Sequence, residues 1–145
     1  KQKNSGADTF VNQLRENTGI KMIPRKSSLE FMYEALARNN ILTLASDQDA
    51  KKRGIFVKFF SLPASTPKGA GRFHLEYGSP LIFVTCHLER PNNHVLDILP
   101  IPTDSNSNIA SITQSFTLML ENIITAYPEQ YFWFHRRWKT KQPQP

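Results

Sequence analysis

Two clusters of side chains in this sequence have the chemistry to hold a ligand. The first is Ser46-Asp47-Gln48-Asp49, directly after the apolar run Ile41 to Ala45. Carboxylates and an amide at the C-terminal end of a strand sit where ligands gather in open α/β sheets, so Asp47, Gln48 and Asp49 are candidate binding residues. A solvated turn explains the same residues, because a lone D-x-D has little specificity. The second cluster is Pro128 to Lys139, PEQYFWFHRRWK. Arginine forks grip phosphate oxygens in two places, while Trp and Phe cover an acyl chain or anchor at a headgroup boundary. His135, Arg136, Arg137 and Lys139 are therefore candidates for anion contact. A terminal helix whose aromatics dock on the core, with its cations in solvent, accounts for the composition equally well.

Other reactive groups carry less. Cys86, the single cysteine, cannot form an internal disulfide and reads as a buried strand residue rather than a nucleophile. Gly69 and Gly71 could let an anion approach a helix N-terminus, but close packing of that helix on a sheet is the simpler reading.

The elements that must position these groups follow from periodicity. Phe10, Val11 and Leu14 share one face of a helix over residues 7–18, which Gly19 ends in a left-handed cap. A short strand, Ile20 to Ile23, is expected next. Ser27 with Glu30 forms a capping box for a second helix carrying Leu29, Met32, Tyr33 and Leu36. Ile41 to Ala45 reads as a strand buried on both faces. Ile55 to Phe60 is another strand, and Thr66-Pro67 opens a helix that ends at Gly78. Leu81 to Leu88 and His94 to Leu99 are strands joined at Asn92-Asn93. From Asn108, the stripe Ile109, Ile112, Phe116, Met119, Leu120, Ile123 and Tyr127 marks a long helix stopped by Pro128, which can begin a new helical turn. The alternation predicts an α/β layered fold with a mostly parallel central sheet flanked by helices, as one domain over residues 1–145.

Bulk properties narrow the setting. With 39% hydrophobic residues in 145, the chain can bury a core. No apolar run approaches the roughly 20 residues that span a bilayer, and no secretory leader is present, so a cytosolic or cytosol-facing setting is expected. The net charge of +6 favours acidic partners without choosing among them. The opening Lys1-Gln2-Lys3-Asn4 reads as the middle of a longer protein.

The closing run resembles the signature of the lauroyl/myristoyl acyltransferases of lipid A biosynthesis, within the glycerolipid acyltransferase superfamily. Further segments agree in order: Ala45 to Asp49, Gly54 to Phe60, Pro63 to Thr66, and Gly78 to Leu81. Where relatives usually carry Gly after the paired Phe, this chain has Ser61. The resemblance implies a layered α/β fold whose N-terminal half is missing here. It also implies an acyl carrier protein donor, a phosphorylated glycolipid acceptor, and work at the cytosolic face of the bacterial inner membrane, with Trp133, Trp138 and their neighbours helping at the membrane surface. No metal or dissociable cofactor is implied.

The family's base is a histidine followed, after four residues, by Asp or Glu. Five positions after His74, His87, His94 and His135 stand Ser79, Asn92, Leu99 and Thr140. No catalytic residue is thus expected in this chain, which should be inert alone. Arg15 matches an arginine the family needs and is expected to bind a phosphate; Asp47 matches the acid of its D-x-D-like loop. Acyl-coenzyme A as donor, or another glycolipid or phospholipid as acceptor, fits the same motifs. A non-catalytic anion-binding module, with nucleic acid an improbable partner, is the reading from another class.

Overall fold

The computed structural model describes residues 5–23 and 29–143. Two compact units, Lys1–Leu42 and Thr43–Pro145, are described in turn.

In the first unit, helix α1 spans Ser5–Glu16 and helix α2 spans Leu29–Ala37. The turn that ends α1 uses Gly19 at φ +83°, with its N–H on Glu16 O. Asn39 does the same for α2 at φ +57°, and Asn40 N–H reaches back to Ala35 O. Asparagine and glycine tolerate this left-handed conformation where other side chains clash. Ser27 of the expected capping box lies outside the described residues.

The second unit contains strands β1 (Ile55–Phe59) and β2 (Leu62–Thr66), helix α3 (Gly69–Tyr77), strands β3 (Ile82–Arg90) and β4 (Asn93–Pro100), and helix α4 (Ile109–Ala126). Single turns of 3-10 helix occur at Lys51–Arg53 and Pro128–Gln130. Helix α4 follows the sequence closely. The Asn108 side chain accepts from Ala110 N and Ser111 N, and the Ser111 hydroxyl accepts from Asn108 N in return. This reciprocal cap fixes its start. Ile112 and Phe116 are buried from its stripe, joined by Thr113 and Thr117, whose hydroxyls bond back to carbonyls one turn earlier.

The expected parallel sheet does not form among the described residues. Both sheets are two-stranded and antiparallel, β1 with β2 and β3 with β4. The linking turns decide this. Phe60 and Ser61 both have positive φ, the two-residue turn that matches hairpin twist, whereas parallel pairing needs a long crossover. Asn92 at φ +64° turns the second hairpin. Two glutamines then occupy strand edges. Gln114 accepts from Lys58 N (2.8 Å) and donates to Lys58 O (2.9 Å), and Gln130 treats Leu88 N (2.6 Å) and Leu88 O (2.8 Å) likewise. Each side-chain amide imitates a neighbouring strand and uses backbone groups that would otherwise invite one.

The expected strands Ile20 to Ile23 and Ile41 to Ala45 are likewise not formed; neither run pairs in a ladder, and Ile41 is 93% exposed. β-branched residues favour strands only where a partner and a packed face exist. Thr66 ends β2 instead of capping α3, which begins at Gly69 and closes on Gly78 at φ +75°. Gly71 is buried at the contact of α3 with α4, where a Cβ would lie 3.4 Å from the Ile109 Cα. Cys86 is exposed, not buried, because it lies on the outward face of β3. The core centres on Phe59, Ala64 and Ile124, with Phe60, Leu120, Tyr131 and Trp138 packed around them.

Candidate functional site

The closing segment is not a helix. After Pro128–Gln130 it runs through tight turns, with His135 N–H on Phe132 O and Lys139 N–H on Arg136 O. Its aromatics divide between two fates. Tyr131 and Trp138 pack on Phe59 with ring centroids 6.2 and 5.3 Å away, and the Trp138 indole donates to Phe59 O. Phe132 and Phe134 point outward. The indole of Trp133 donates to Pro128 O at 2.6 Å, closing the turn on itself.

Its two arginines also divide. Arg136 is exposed, whereas Arg137 is 1% exposed, the largest fully buried side chain among the described residues. The Arg137 guanidinium lies 5.1 Å from the Phe59 ring centroid, donates from Nη1 to Ser65 O at 2.8 Å, and donates from Nη2 to the Thr66 hydroxyl. Ser65 O also accepts Ala50 N, and the Ser65 hydroxyl donates to Lys51 O. A buried cation thus joins the end of β2 to the residues that follow the Asp47 loop. Burial pushes the guanidinium below its ordinary range, and the negative charges of Tyr131 phenolate, Asp49 and Asp47 oppose that shift. Burial likewise raises the Tyr131 phenol, against the pull of Arg137 and with a smaller upward push from Asp47.

The loop itself is held from the same segment. The Tyr131 hydroxyl donates to Asp47 O at 3.3 Å, Asp49 N donates to His135 Nε2 at 2.9 Å, and the Thr140 hydroxyl donates to Asp49 Oδ2 at 2.9 Å. Accepting from an amide requires His135 Nε2 to be unprotonated. Asp49 Oδ1 and Arg137 Nε are buried without a hydrogen-bond partner. The structure therefore brings together Asp47, Asp49, His135 and Arg137, separated by almost ninety residues of chain, while Gln48, Arg136 and Lys139 stand exposed around them. Arg15 lies exposed in the last turn of α1, in the other unit.

Ser65, Thr66, Tyr131 and Thr140 complete this arrangement and were not singled out from sequence. For the first three the available signal was that Pro63 to Thr66 and Pro128 to Lys139 are both among the segments carrying the family resemblance; Thr140 lies one residue beyond. Spacing along the chain also missed a histidine-carboxylate pair made across the second hairpin. His87 Nδ1 lies 3.1 Å from Asp97 Oδ2, as diagonal neighbours on one sheet face do. The His87 ring is 8% exposed and stacks on Tyr127 at 4.1 Å, so it offers no open approach to a hydroxyl substrate.

Comparison with known proteins gives a consistent set of likenesses. A family profile described as bacterial lipid A biosynthesis acyltransferase matches residues 1–140. The chain is 31% identical to a lipid A biosynthesis lauroyltransferase of Escherichia coli (strain K12), over 89% of this chain and 42% of that protein. It is 29% identical to a lipid A biosynthesis palmitoleoyltransferase of the same strain and to a lipid A biosynthesis acyltransferase of Shigella flexneri, each over 80% of this chain and 39% of the relative. The chain thus spans about two-fifths of the length of the relatives it matches.

Proposed function

Because the chain belongs to the bacterial lipid A biosynthesis acyltransferase family, we propose that it is part of an enzyme moving a fatty acyl group from acyl carrier protein to a hydroxyl of a phosphorylated lipid A precursor. The reading places that reaction at the cytosolic face of the bacterial inner membrane. It is carried by the family match over residues 1–140, nearly the whole chain. Meeting of the Asp47 loop with the closing signature supports it, since two of the segments that carry the resemblance hold one another. Both units then belong to a single acyltransferase domain, whose remaining part supplies the parallel strands.

The chemistry assigns distinct tasks. A base takes the proton of the acceptor hydroxyl, the oxygen attacks the thioester carbonyl, and the carrier thiol leaves. In this reading the base lies outside the chain, and Asp47 with Gln48 orients the acceptor from a loop held by Asp49, His135 and Arg137. Arg15, Arg136 and Lys139 meet phosphate oxygens of acceptor or donor. Arg137 takes a positioning role in place of the direct anion contact expected from its type, because its fork already bonds Ser65 O and Thr66.

The test is acyl transfer measured on the longer parent protein and on the 145-residue chain, with matched acyl-carrier-protein and acyl-coenzyme A donors and a phosphorylated glycolipid acceptor. The parent is expected to transfer from carrier protein, to lose at least about tenfold in kcat/KM on Asp47→Asn, and to retain binding of the donor; the chain alone is expected to transfer nothing. Preference for coenzyme A would overturn the donor assignment. Transfer by the chain alone, abolished by substituting one of its own histidines, would overturn the assignment of the base.

A further inference from the structure

We propose that the turn Phe132 to Phe134, with Arg136, Lys139 and Lys141 beside it, is a wedge that docks on an anionic lipid surface. Phe132 and Phe134 are 62% and 90% exposed, and their rings lie 5.9 Å apart. Exposing a pair of large aromatics to water costs free energy that covering them recovers. The turn that carries them has a fixed conformation. The Trp133 indole bond to Pro128 O, the His135 N–H bond to Phe132 O and the anchoring of Tyr131 and Trp138 on Phe59 fix the turn on both sides.

Charge chooses the occupant. Arg136, Lys139 and Lys141 are exposed within seven positions of Phe134 along the chain, and Glu129 is the single acid from Pro128 onward. Aromatics that enter the interface, with long cationic side chains reaching phosphates beside them, are the combination an anionic bilayer surface accommodates. The outward face of the second hairpin makes the contrast. Ile82, Val84, Leu96 and Ile98 are exposed there too, yet that face carries no comparable run of cations. The geometry also revises which aromatics meet the membrane: Trp138 is committed to Phe59, and the wedge is Phe132 and Phe134 flanking Trp133.

The probe is the 145-residue chain with vesicles of phosphatidylcholine containing about 30% phosphatidylglycerol, compared with phosphatidylcholine alone. Binding is read by co-sedimentation and by tryptophan emission, to which only Trp133 and Trp138 contribute. Expected are binding to anionic vesicles that weakens with added salt, and a blue shift lost in Trp133→Phe but kept in Trp138→Phe. The pair Phe132→Ser and Phe134→Ser should weaken binding by about tenfold or more, and the pair Arg136→Gln and Lys139→Gln by about tenfold on anionic vesicles alone. All these groups except Trp138 are at the surface, so unchanged circular dichroism and unfolding midpoint separate a lost surface from a lost fold. Absence of binding, equal binding to both vesicle types, a Phe pair that binds as the unaltered chain does, or Phe134-dependent self-association in sedimentation would each overturn the proposal. Because the readout is vesicle binding, failure of the acyl-transfer reading and failure of the wedge are separate results.

Discussion

The corner around Arg137 and the outward face of the β3–β4 hairpin are both lined with apolar side chains, and only the first is covered among the described residues. At the corner, Phe59, Ala64, Tyr131 and Trp138 enclose a cation whose fork bonds Ser65 and Thr66. On the hairpin, Ile82, Val84, Leu96 and Ile98 line up in register as Ile82 with Pro100, Val84 with Ile98 and Cys86 with Leu96, and all face outward. The other face mixes Phe83 and Val95 with Thr85, His87 and Asp97, so the hairpin carries apolar side chains on both faces instead of on one. Apolar contact thus stabilises the corner, while the hairpin leaves its own in water.

Removing the cation is the strongest way to break the comparison. Arg137→Ala opens a cavity under Phe59 and removes both bonds to the end of β2, at an expected cost of about 3 kcal/mol in urea denaturation of the chain. Arg137→Met keeps the volume and sheds the cost of burying charge, so about half of that loss should return. A midpoint unmoved by Arg137→Ala would mean the corner is not where stability resides. Next in size is Gly54→Ala. A Cβ there would lie 2.7 Å from the Ala50 Cβ, 2.8 Å from Thr66 O and closer still to the Ser65 hydroxyl, so backbone must shift. A loss of about 2 kcal/mol is expected, read from the same denaturation curve.

These two positions also mark what the sequence made legible. Helix α4 could be read because its cap and stripe are local. The neighbours Arg136 and Arg137 are the same residue type, and which one is buried depends on Ser65 and Thr66 some seventy positions away. The family resemblance therefore marked segments that meet in the structure while leaving their internal division invisible. The parallel sheet was expected because hydrophobic runs alternate with helical stripes, but a two-residue turn at Phe60-Ser61 decides the pairing, and neither residue is a usual marker of positive φ. His87 and Asp97 pair across strands, where a rule written in sequence spacing does not look.

That turn supplies a smaller test, in the opposite direction. Ser61 sits at φ +65°, a conformation glycine adopts without a Cβ clash, so Ser61→Gly should stabilise the chain by up to about 1 kcal/mol, net of glycine's greater unfolded-state entropy. A loss of stability on substitution would contradict this. Alkali offers a further probe confined to the Arg137 corner. Burial holds the Tyr131 phenol above its ordinary value of about 10. The folded state therefore keeps this proton where the unfolded state has released it. Its contribution is complete below about pH 10 and declines as pH rises through the folded value. Tyr131→Phe should flatten stability against pH in that window, and an unchanged slope would remove Tyr131 as its source.

The smallest expected effect belongs to the hairpin. Ile98→Lys places a charge in the middle of the outward apolar face, opposite Val84. In the 145-residue chain the lysine remains in water, and most of the lost apolar area was already exposed, so the midpoint should move by no more than about 0.5 kcal/mol. Solubility should rise at the same time, because the exposed patch is interrupted. A loss of about 2 kcal/mol or more, dependent on protein concentration, would show that copies of the chain cover this face in solution. The hairpin would then be finished by self-association, and the contrast with the Arg137 corner would hold only for the isolated molecule.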